Sequence, residues 1–330
     1  MGALATLFRA RGARVTGADV AFDPPIGPAL RDAGVECLQG YDAGHLDPAP
    51  DLTVIGNAIR RDNVEAVAAE QRDLPRSSMS AALREHFLVG RRAVVVCGTH
   101  GKTTTSSLAA WVLAEAQLEP GFFLGGIPQN FGVGAQIGRA ARSLTRGVAP
   151  FVVEGDEYDA VYWHKKPKFF DYVGVSNDDV AIVTSIEHDH IDIYPTEREY
   201  DAAFIGLFER VPAGGLVIVD AQTRALELAR KHARARVVTY GLTPEAEWSA
   251  ATSRDGSFDV FAGGSACGRF SSPLPGEHNV RNALAAIAMA AEGFSVGPAQ
   301  SRAALASFAG VKRRQELLGT PGGVSVYDDF

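Results

Sequence analysis

Apolar positions along the chain alternate between helical and strand-like spacing. Over residues 1–11, Leu4, Leu7 and Phe8 fall on one side of a helix, which Gly12 ends. Residues 14–17 then read as a strand closing on Asp19, residues 52–56 as another strand, and residues 63–71 as a helix. From Arg92 the alternation continues at larger scale, with apolar strands at 93–97, 151–154, 181–186, 216–219 and 237–240. Strand–helix alternation of this kind predicts a mainly parallel α/β sheet. Residues 246–275 break the pattern. Short strands with turn signals at Asp255-Gly256 and Gly263-Gly264 predict a small antiparallel insert.

A helix, a strand and then an acidic residue at 1–19 match the second half of a nucleotide-binding βαβ unit. Its first strand and glycine loop would precede Met1, and residues 323–327 read as a strand beginning. The sequence is therefore expected to be a piece trimmed at both ends. The fold expected is α/β: a Rossmann-like N-terminal domain over residues 1–88, a larger, mainly parallel phosphate-loop domain over 89–318, and the start of a further domain over 319–330.

At 330 residues the chain is too long for one ordinary core. Hydrophobic residues at 46% and charged residues at 22% are the balance of a soluble globular protein. A net charge of −7 argues against nucleic acid as a partner, because non-specific binding needs a basic surface. No apolar run is long enough for a membrane helix, and the N-terminus has no secretory pattern, so a cytoplasmic location is expected. Cys37, Cys97 and Cys267 are far apart and form no C-x-x-C pair, which argues against a zinc site or disulfide framework.

The strongest local motif is Gly98-Thr99-His100-Gly101-Lys102-Thr103-Thr104-Thr105, between the strand at 93–97 and a helix predicted over 106–117. Strand, glycine loop and helix is the context of a phosphate loop. Backbone N–H groups and the helix dipole face the phosphates, the lysine neutralises them, and the first threonine hydroxyl can hold Mg²⁺. The loop is shorter than the common form: Val96 stands where a longer loop has glycine. Without its flanking elements the motif would be a chance turn.

Three further clusters carry candidate chemistry. Glu154, Asp156, Glu157 and Asp159 follow the strand at 151–154, where α/β enzymes bind ligands and where a carboxylate can hold Mg²⁺; a solvated acidic loop is the alternative. Glu187, His188, Asp189, His190 and Asp192 follow the strand at 181–186. They suggest a metal site, but H-E-x-x-H and a third histidine at ligand spacing are missing, which weakens a zinc hydrolase. His278, Asn279 and Asn282 open an alanine-rich helix and share one face. They suit either helix capping or recognition of an adenine edge.

Taken in order, Gly98–Thr104, Glu154, Asp189-His190-Ile191-Asp192 and His278-Asn279-Val280-Arg281-Asn282 resemble the Mur ligase family, as do Lys312-Arg313-Arg314 and the closing Tyr327-Asp328-Asp329-Phe330. The branch acting on UDP-N-acetylmuramate fits best. Val15–Asp19, Gly40-Tyr41-Asp42 and Gly56-Asn57-Ala58 resemble its UDP-binding domain. Gly125–Phe131, Glu157-Tyr158-Asp159 and Lys165–Phe169 are similar to the members that recycle murein tripeptide; those that add L-alanine more often have serine at the place of Tyr158. Two features depart from the family at large. Ser185 stands in place of an asparagine, and Ile205 stands where other branches carry a carbamoylated lysine.

The resemblance implies an ATP- and Mg²⁺-dependent ligase of peptidoglycan recycling that makes an acyl phosphate on UDP-N-acetylmuramate and transfers it to an amine. It implies Lys102, Glu154 and His190 as catalytic residues and Thr103, Glu154 and His190 as magnesium ligands. Nucleotide would be held by Gly98, Thr99, His100, Gly101, Lys102, Thr103 and Thr104, with His278, Asn279 and Asn282 at adenine and Arg313, or Arg314, reaching the phosphates. Asp19, Asn57, Gly126 and Asn130 would contact substrate. The amine, murein tripeptide or L-alanine, would bind a domain beyond Phe330, so this piece alone is expected not to form the amide. A general phosphate-loop ATPase and a non-catalytic nucleotide-binding module are the rival readings.

Overall fold

A computed structural model describes residues 1–139, 142–143 and 147–329. The N-terminal part holds helix α1 (Gly2–Ala10) and two separate parallel strand pairs. Strand β1 (Thr16–Asp19) pairs with β2 (Glu36–Gln39) across helix α2 (Ile26–Asp32). Strand β3 (Thr53–Ile55) pairs with β4 (Arg76–Ser78) across α3 (Val64–Gln71). The first strand thus runs two residues later than its apolar pattern predicts. Asn63 caps α3, its side chain accepting from the N–H groups of Glu65 and Ala66 at 3.0 and 3.1 Å. Helix α4 (Met79–Leu83) and the helical turn after it lead into the second part. There Arg84 donates to the carbonyls of Asp171 and Val173 at 2.8 and 3.0 Å.

The second part is built on a ten-stranded sheet. Its strands are β5 (Arg92–Cys97), β6 (Gly121–Phe123), β7 (Ala135–Gln136), and, after the two-residue pair β8 (Arg142–Ser143) and β9 (Gly147–Val148), β10 (Pro150–Glu154). The hairpin β11 (Asp159–Val161) and β12 (His164–Pro167) stands outside the sheet. The sheet resumes with β13 (Val180–Val183), β14 (Leu216–Asp220), β15 (Arg236–Gly241), β16 (Trp248–Thr252), β17 (Phe258–Ala262) and β18 (Ser265–Phe270). In space the order is β18-β17-β16-β15-β14-β13-β5-β10-β6-β7, so β5 is central, parallel to both β13 and β10.

Two helical layers cover the sheet, which is why its strands read as unbroken apolar runs. In β5, Val94 and Val96 face one layer and Ala93, Val95 and Cys97 the other. The first layer is α5 (Lys102–Glu115), α9 (Glu277–Phe294) and α10 (Pro298–Ser307); the second is α6 (Phe169–Tyr172), α7 (Glu197–Arg210) and α8 (Arg224–His232). Leu4 and Leu7 of α1 also bury their side chains in the second layer's core. Ala283, Ala285, Ala286, Ala288 and Ala290 of α9 are fully buried, and their small side chains let this helix lie close against α5.

Several sequence expectations shift. The antiparallel strands expected within 246–275 are present, and they join the main sheet. β16 pairs in parallel with β15 at Tyr240↔Trp248, and the hairpin strands beyond it extend the main sheet at one edge. Helix α5 begins at Lys102 rather than at Ser106. Its threonines are poor helix formers by χ1 restriction, but here the Thr105 hydroxyl is held by Asn282 at 3.1 Å and the turn is set by the preceding loop. Strand β13 stops at Val183, three residues early, because Thr184 and Ser185 turn to hold that loop. At the C-terminal end β19 (Glu316–Gly319) pairs with β20 (Val326–Asp328), so the strand expected at 323–327 starts at Val326; Phe330 lies outside the described residues. Among the described residues no helix is long and apolar enough to cross a membrane.

Candidate functional site

A cleft opens at the C-terminal ends of β5 and β10, the place where parallel sheets bind ligands. Residues 99–104, Glu154, His278, Asn279, Asn282 and Arg314 line it. The loop Gly98–Gly101 can exist only with glycine at both ends. Gly98 has φ +124°, and a Cβ there would lie 2.3 Å from the Thr184 hydroxyl and 2.8 Å from the Ser185 carbonyl oxygen. Gly101 has φ +78°, with a Cβ 2.5 Å from Asn282 Oδ1. Gly101 brings no side chain to cap α5, so the first-turn N–H groups stay open to the cleft, a cradle suited to phosphate oxygens. The loop is held from behind. Thr99 N–H donates to the Ser185 carbonyl at 3.0 Å, and His100 N–H donates to the Ser185 hydroxyl at 3.2 Å. The shorter Ser185 therefore still meets the loop.

Two carboxylates from the same strand end take different tasks. Glu154, at the end of β10, accepts from the Thr103 hydroxyl at 2.9 Å and from Gly125 N–H at 2.8 Å. Burial raises its pKa above the ordinary range, against the lowering effect of those hydrogen bonds. A hydroxyl and a carboxylate side by side at the cleft wall are an oxygen donor set that fits Mg²⁺, which takes one or two protein oxygens and completes its shell with water and phosphate. Three residues on, the Glu157 side chain is completely buried. It accepts from Lys102 Nζ at 3.2 and 3.3 Å and contacts His190 Nε2 at 2.9 Å. Lys102 Nζ also donates to the Gly98 carbonyl at 2.6 Å. The other nitrogen of His190, Nδ1, meets the Tyr158 hydroxyl at 2.9 Å.

The remaining candidates divide. Asn282 Nδ2 donates to Asn279 Oδ1 at 3.2 Å, and Asn279 Nδ2 donates to the Pro275 carbonyl at 2.7 Å, so both amides are locked at the start of α9. His278 lies beside them on the cleft wall. Arg314, and not Arg313, is among the described residues lining the cleft; Arg313 pairs with Asp328 at 3.8 Å. Gly126 packs against the site, since a Cβ there would be 2.8 Å from Thr103 Cγ2. Asn130 donates to the Ser307 carbonyl at 2.9 Å and accepts from Ala309 N–H at 2.7 Å at the end of α10. Asp19 ends β1 and Asn57 follows β3, both exposed at the C-terminal ends of their parallel pairs. Ile205 of α7 packs against the second-layer core.

The histidine cluster is split. His188 Nε2 meets the Tyr194 carbonyl oxygen at 2.8 Å while His190 turns to Glu157. Among the described residues no three His, Cys, Asp or Glu side chains are gathered as a metal site. Glu157 and Tyr158 are contacts that sequence reasoning missed. Both lie in the acidic run already singled out, but the run does not say which carboxylate points inward.

Comparison with known proteins agrees with this geometry. The Mur ligase middle domain matches residues 96–290, and a second model, Mur ligase family, catalytic domain, matches residues 1–89. The UDP-N-acetylmuramate–L-alanyl-gamma-D-glutamyl-meso-2,6-diaminoheptandioate ligase of Escherichia coli (strain K12) is 38% identical over all of this chain and 70% of its own length. The UDP-N-acetylmuramate–L-alanine ligase of Paenarthrobacter aurescens (strain TC1) is 37% identical over all of this chain and 68% of its own. The crystal structure of the UDP-N-acetylmuramate:L-alanyl-gamma-D-glutamyl-meso-diaminopimelate ligase from Neisseria meningitides superposes with TM-score 0.86 at 36% identity, covering 95% of this chain and 96% of that one. That of the UDP-N-acetylmuramate–alanine ligase from Thermotoga maritima gives 0.79 at 26%, covering 100% and 71%. With the phosphate loop, the strand-end carboxylates and the α9 amides in one cleft, and family matches along both parts of the sequence, the chain belongs to the Mur ligase family.

Proposed function

We propose that this chain serves an ADP-forming ligase that activates the carboxylate of UDP-N-acetylmuramate for attack by the amine of the murein tripeptide, with residues 1–88 holding the sugar nucleotide and 89–318 holding ATP. The observation that carries the reading is the convergence of Lys102, Thr103 and Glu154 at the C-terminal ends of β5 and β10. A free carboxylate is a poor acyl donor because oxide is a poor leaving group. Its oxygen attacks the γ-phosphorus, ADP departs, and the acyl phosphate then loses phosphate as the amine adds to the acyl carbon. Most of the acceleration in the first step comes from alignment and charge neutralisation. The loop N–H groups and Lys102 hold the phosphates. Thr103 and Glu154 would hold Mg²⁺; His190, the third proposed ligand, would have to release Glu157 or Tyr158 to join them, and the ion would supply positive charge at the phosphate oxygens. His278, Asn279 and Asn282 would meet adenine, with Arg314 better placed than Arg313 to approach the nucleotide.

Identity alone does not separate the two amines, since relatives named for the tripeptide at 38% and 35% stand beside L-alanine ligases at 37% and 38%. The tripeptide is favoured by two solved murein peptide ligase structures at TM-score 0.86, against 0.79 for the Thermotoga maritima alanine ligase. The test is calorimetric titration with a non-hydrolysable ATP analogue and Mg²⁺, with and without UDP-N-acetylmuramate. Analogue binding should weaken at least about tenfold in Lys102→Ala, since a charged hydrogen bond contributes roughly 1.5–3 kcal/mol. Analogue binding with no binding of UDP-N-acetylmuramate would instead favour a general ATPase.

A further inference from the structure

Glu157 is an unusual group for a cleft-side position. Its side chain has no solvent exposure, and among the described residues lining the cleft it is absent, whereas Lys102 is present. A carboxylate so placed persists only if cations and donors surround it. They do: Lys102 Nζ at 3.2 Å, His190 Nε2 at 2.9 Å and the Tyr200 hydroxyl at 3.4 Å reach its oxygens, and the Tyr194 hydroxyl donates to its carbonyl at 2.6 Å. Lys102 is turned back by the same arrangement. Its ammonium has three protons, and Glu157, the Gly98 carbonyl at 2.6 Å and the Thr99 carbonyl at 3.4 Å surround it. An arriving phosphate must displace one of these acceptors. The Glu157 carboxylate is the only one of them that is charged, so it competes with phosphate most strongly.

His190 is held in the same network from both sides. Nε2 faces the Glu157 carboxylate, a hydrogen-bond acceptor, so a neutral imidazole carries its hydrogen there and accepts at Nδ1 from the Tyr158 hydroxyl at 2.9 Å. The Tyr158 and His190 ring centroids are 4.6 Å apart, so the two rings also pack against each other.

We propose that Glu157 is a positioning residue: from behind the cleft it holds Lys102 and His190 in one charge network, and Lys102 reaches a bound phosphate only by loosening its hold on this carboxylate. This rests on the reading of Lys102 as a phosphate ligand. Glu157 touches no substrate and acts through Lys102. Its neutral isostere should therefore tighten binding of the polyphosphate, the reverse of what damage to a structural residue would do.

The experiment compares wild type with Glu157→Gln, and with Glu157→Asp as a second variant that keeps the charge but withdraws it by one methylene. Adenosine 5′-(β,γ-imido)triphosphate and AMP are titrated into each. The Glu157→Gln chain should bind the triphosphate several-fold more tightly with AMP affinity unchanged, and Glu157→Asp should lie between. In parallel, labelling of Lys102 by an amine-reactive ester, located by mass spectrometry, should speed up several-fold in Glu157→Gln without any nucleotide present. Triphosphate affinity that is unchanged or weaker in both variants, or Lys102 labelling that stays at the wild-type rate, would overturn the proposal. A wild-type chain that binds neither nucleotide would sink the proposed function, and the labelling ratio would still decide the role of Glu157.

Discussion

Replacing Gly98 by alanine tests whether the phosphate loop is set by steric necessity. At φ +124° an L-residue sits in a region reserved for glycine, a strain of about 1–3 kcal/mol. The added Cβ would meet the Thr184 hydroxyl at 2.3 Å, which can rotate, and the Ser185 carbonyl oxygen and nitrogen at 2.8 and 2.9 Å, which are backbone and cannot. Overpacking of this kind adds about 1–3 kcal/mol, so the loss should be about 2–6 kcal/mol. The control is Gly256→Ala. This glycine also has positive φ, +81°, but nothing lies within 4 Å of its Cβ position, leaving only the left-handed backbone cost of about 1–2 kcal/mol. Urea unfolding followed by circular dichroism gives both losses, and titration with the ATP analogue reports the loop directly. A Gly98→Ala chain no less stable than Gly256→Ala, or one that keeps wild-type analogue affinity, would refute the argument.

Two other perturbations probe the surroundings of the cleft. Asp220, buried at the end of β14, accepts from Gln222 N–H at 2.8 Å and pairs with Arg281 at 3.3 Å, yet burial outweighs both and raises its pKa. A raised folded-state pKa gives a contribution that is full below the unfolded value and lost as pH rises through the folded one. Melting temperatures should therefore favour Asp220→Asn over wild type more at about pH 7 than at about pH 4, where the wild-type carboxyl takes up its proton; a wild type that instead loses ground on acidification would contradict this. Thr196 caps α7 reciprocally with Glu199, at 3.3 Å to the Glu199 N–H and 3.0 Å back from the Thr196 N–H. Thr196→Ala should cost about 1 kcal/mol in urea unfolding, and a change near zero would show that the helix start is held by tertiary packing alone.

Much of the site was legible because its chemistry is local in sequence. A strand, two glycines, a lysine and threonines at fixed spacing can hardly do anything else in an α/β chain, and they did form the loop. Element ends were less legible. Thr103 and Thr105 argue against a helix by propensity, but contacts with Glu154 and Asn282 hold them in its first turns. Residues 181–186 are apolar enough for a longer strand, but Thr184 and Ser185 are drawn off to the loop. The motif around Asn130 suggested substrate, but nothing in it foretold that the amide ties the end of α10.

By itself, then, the sequence determined the α/β class, the parallel strands, the phosphate loop and the order of motifs, because each depends on neighbours within a few residues or on a repeating apolar period. Only the tertiary structure decided which of the acids after β10 faces the cleft and which is sealed behind it. Glu154 and Glu157 differ by three positions and by nothing in composition. What separates them is the set of partners brought from distant segments. Thr103 and Gly125 meet the first, and Lys102, His190 and Tyr200 meet the second. Burial and charge pairing are properties of that assembly, so no local pattern encodes them.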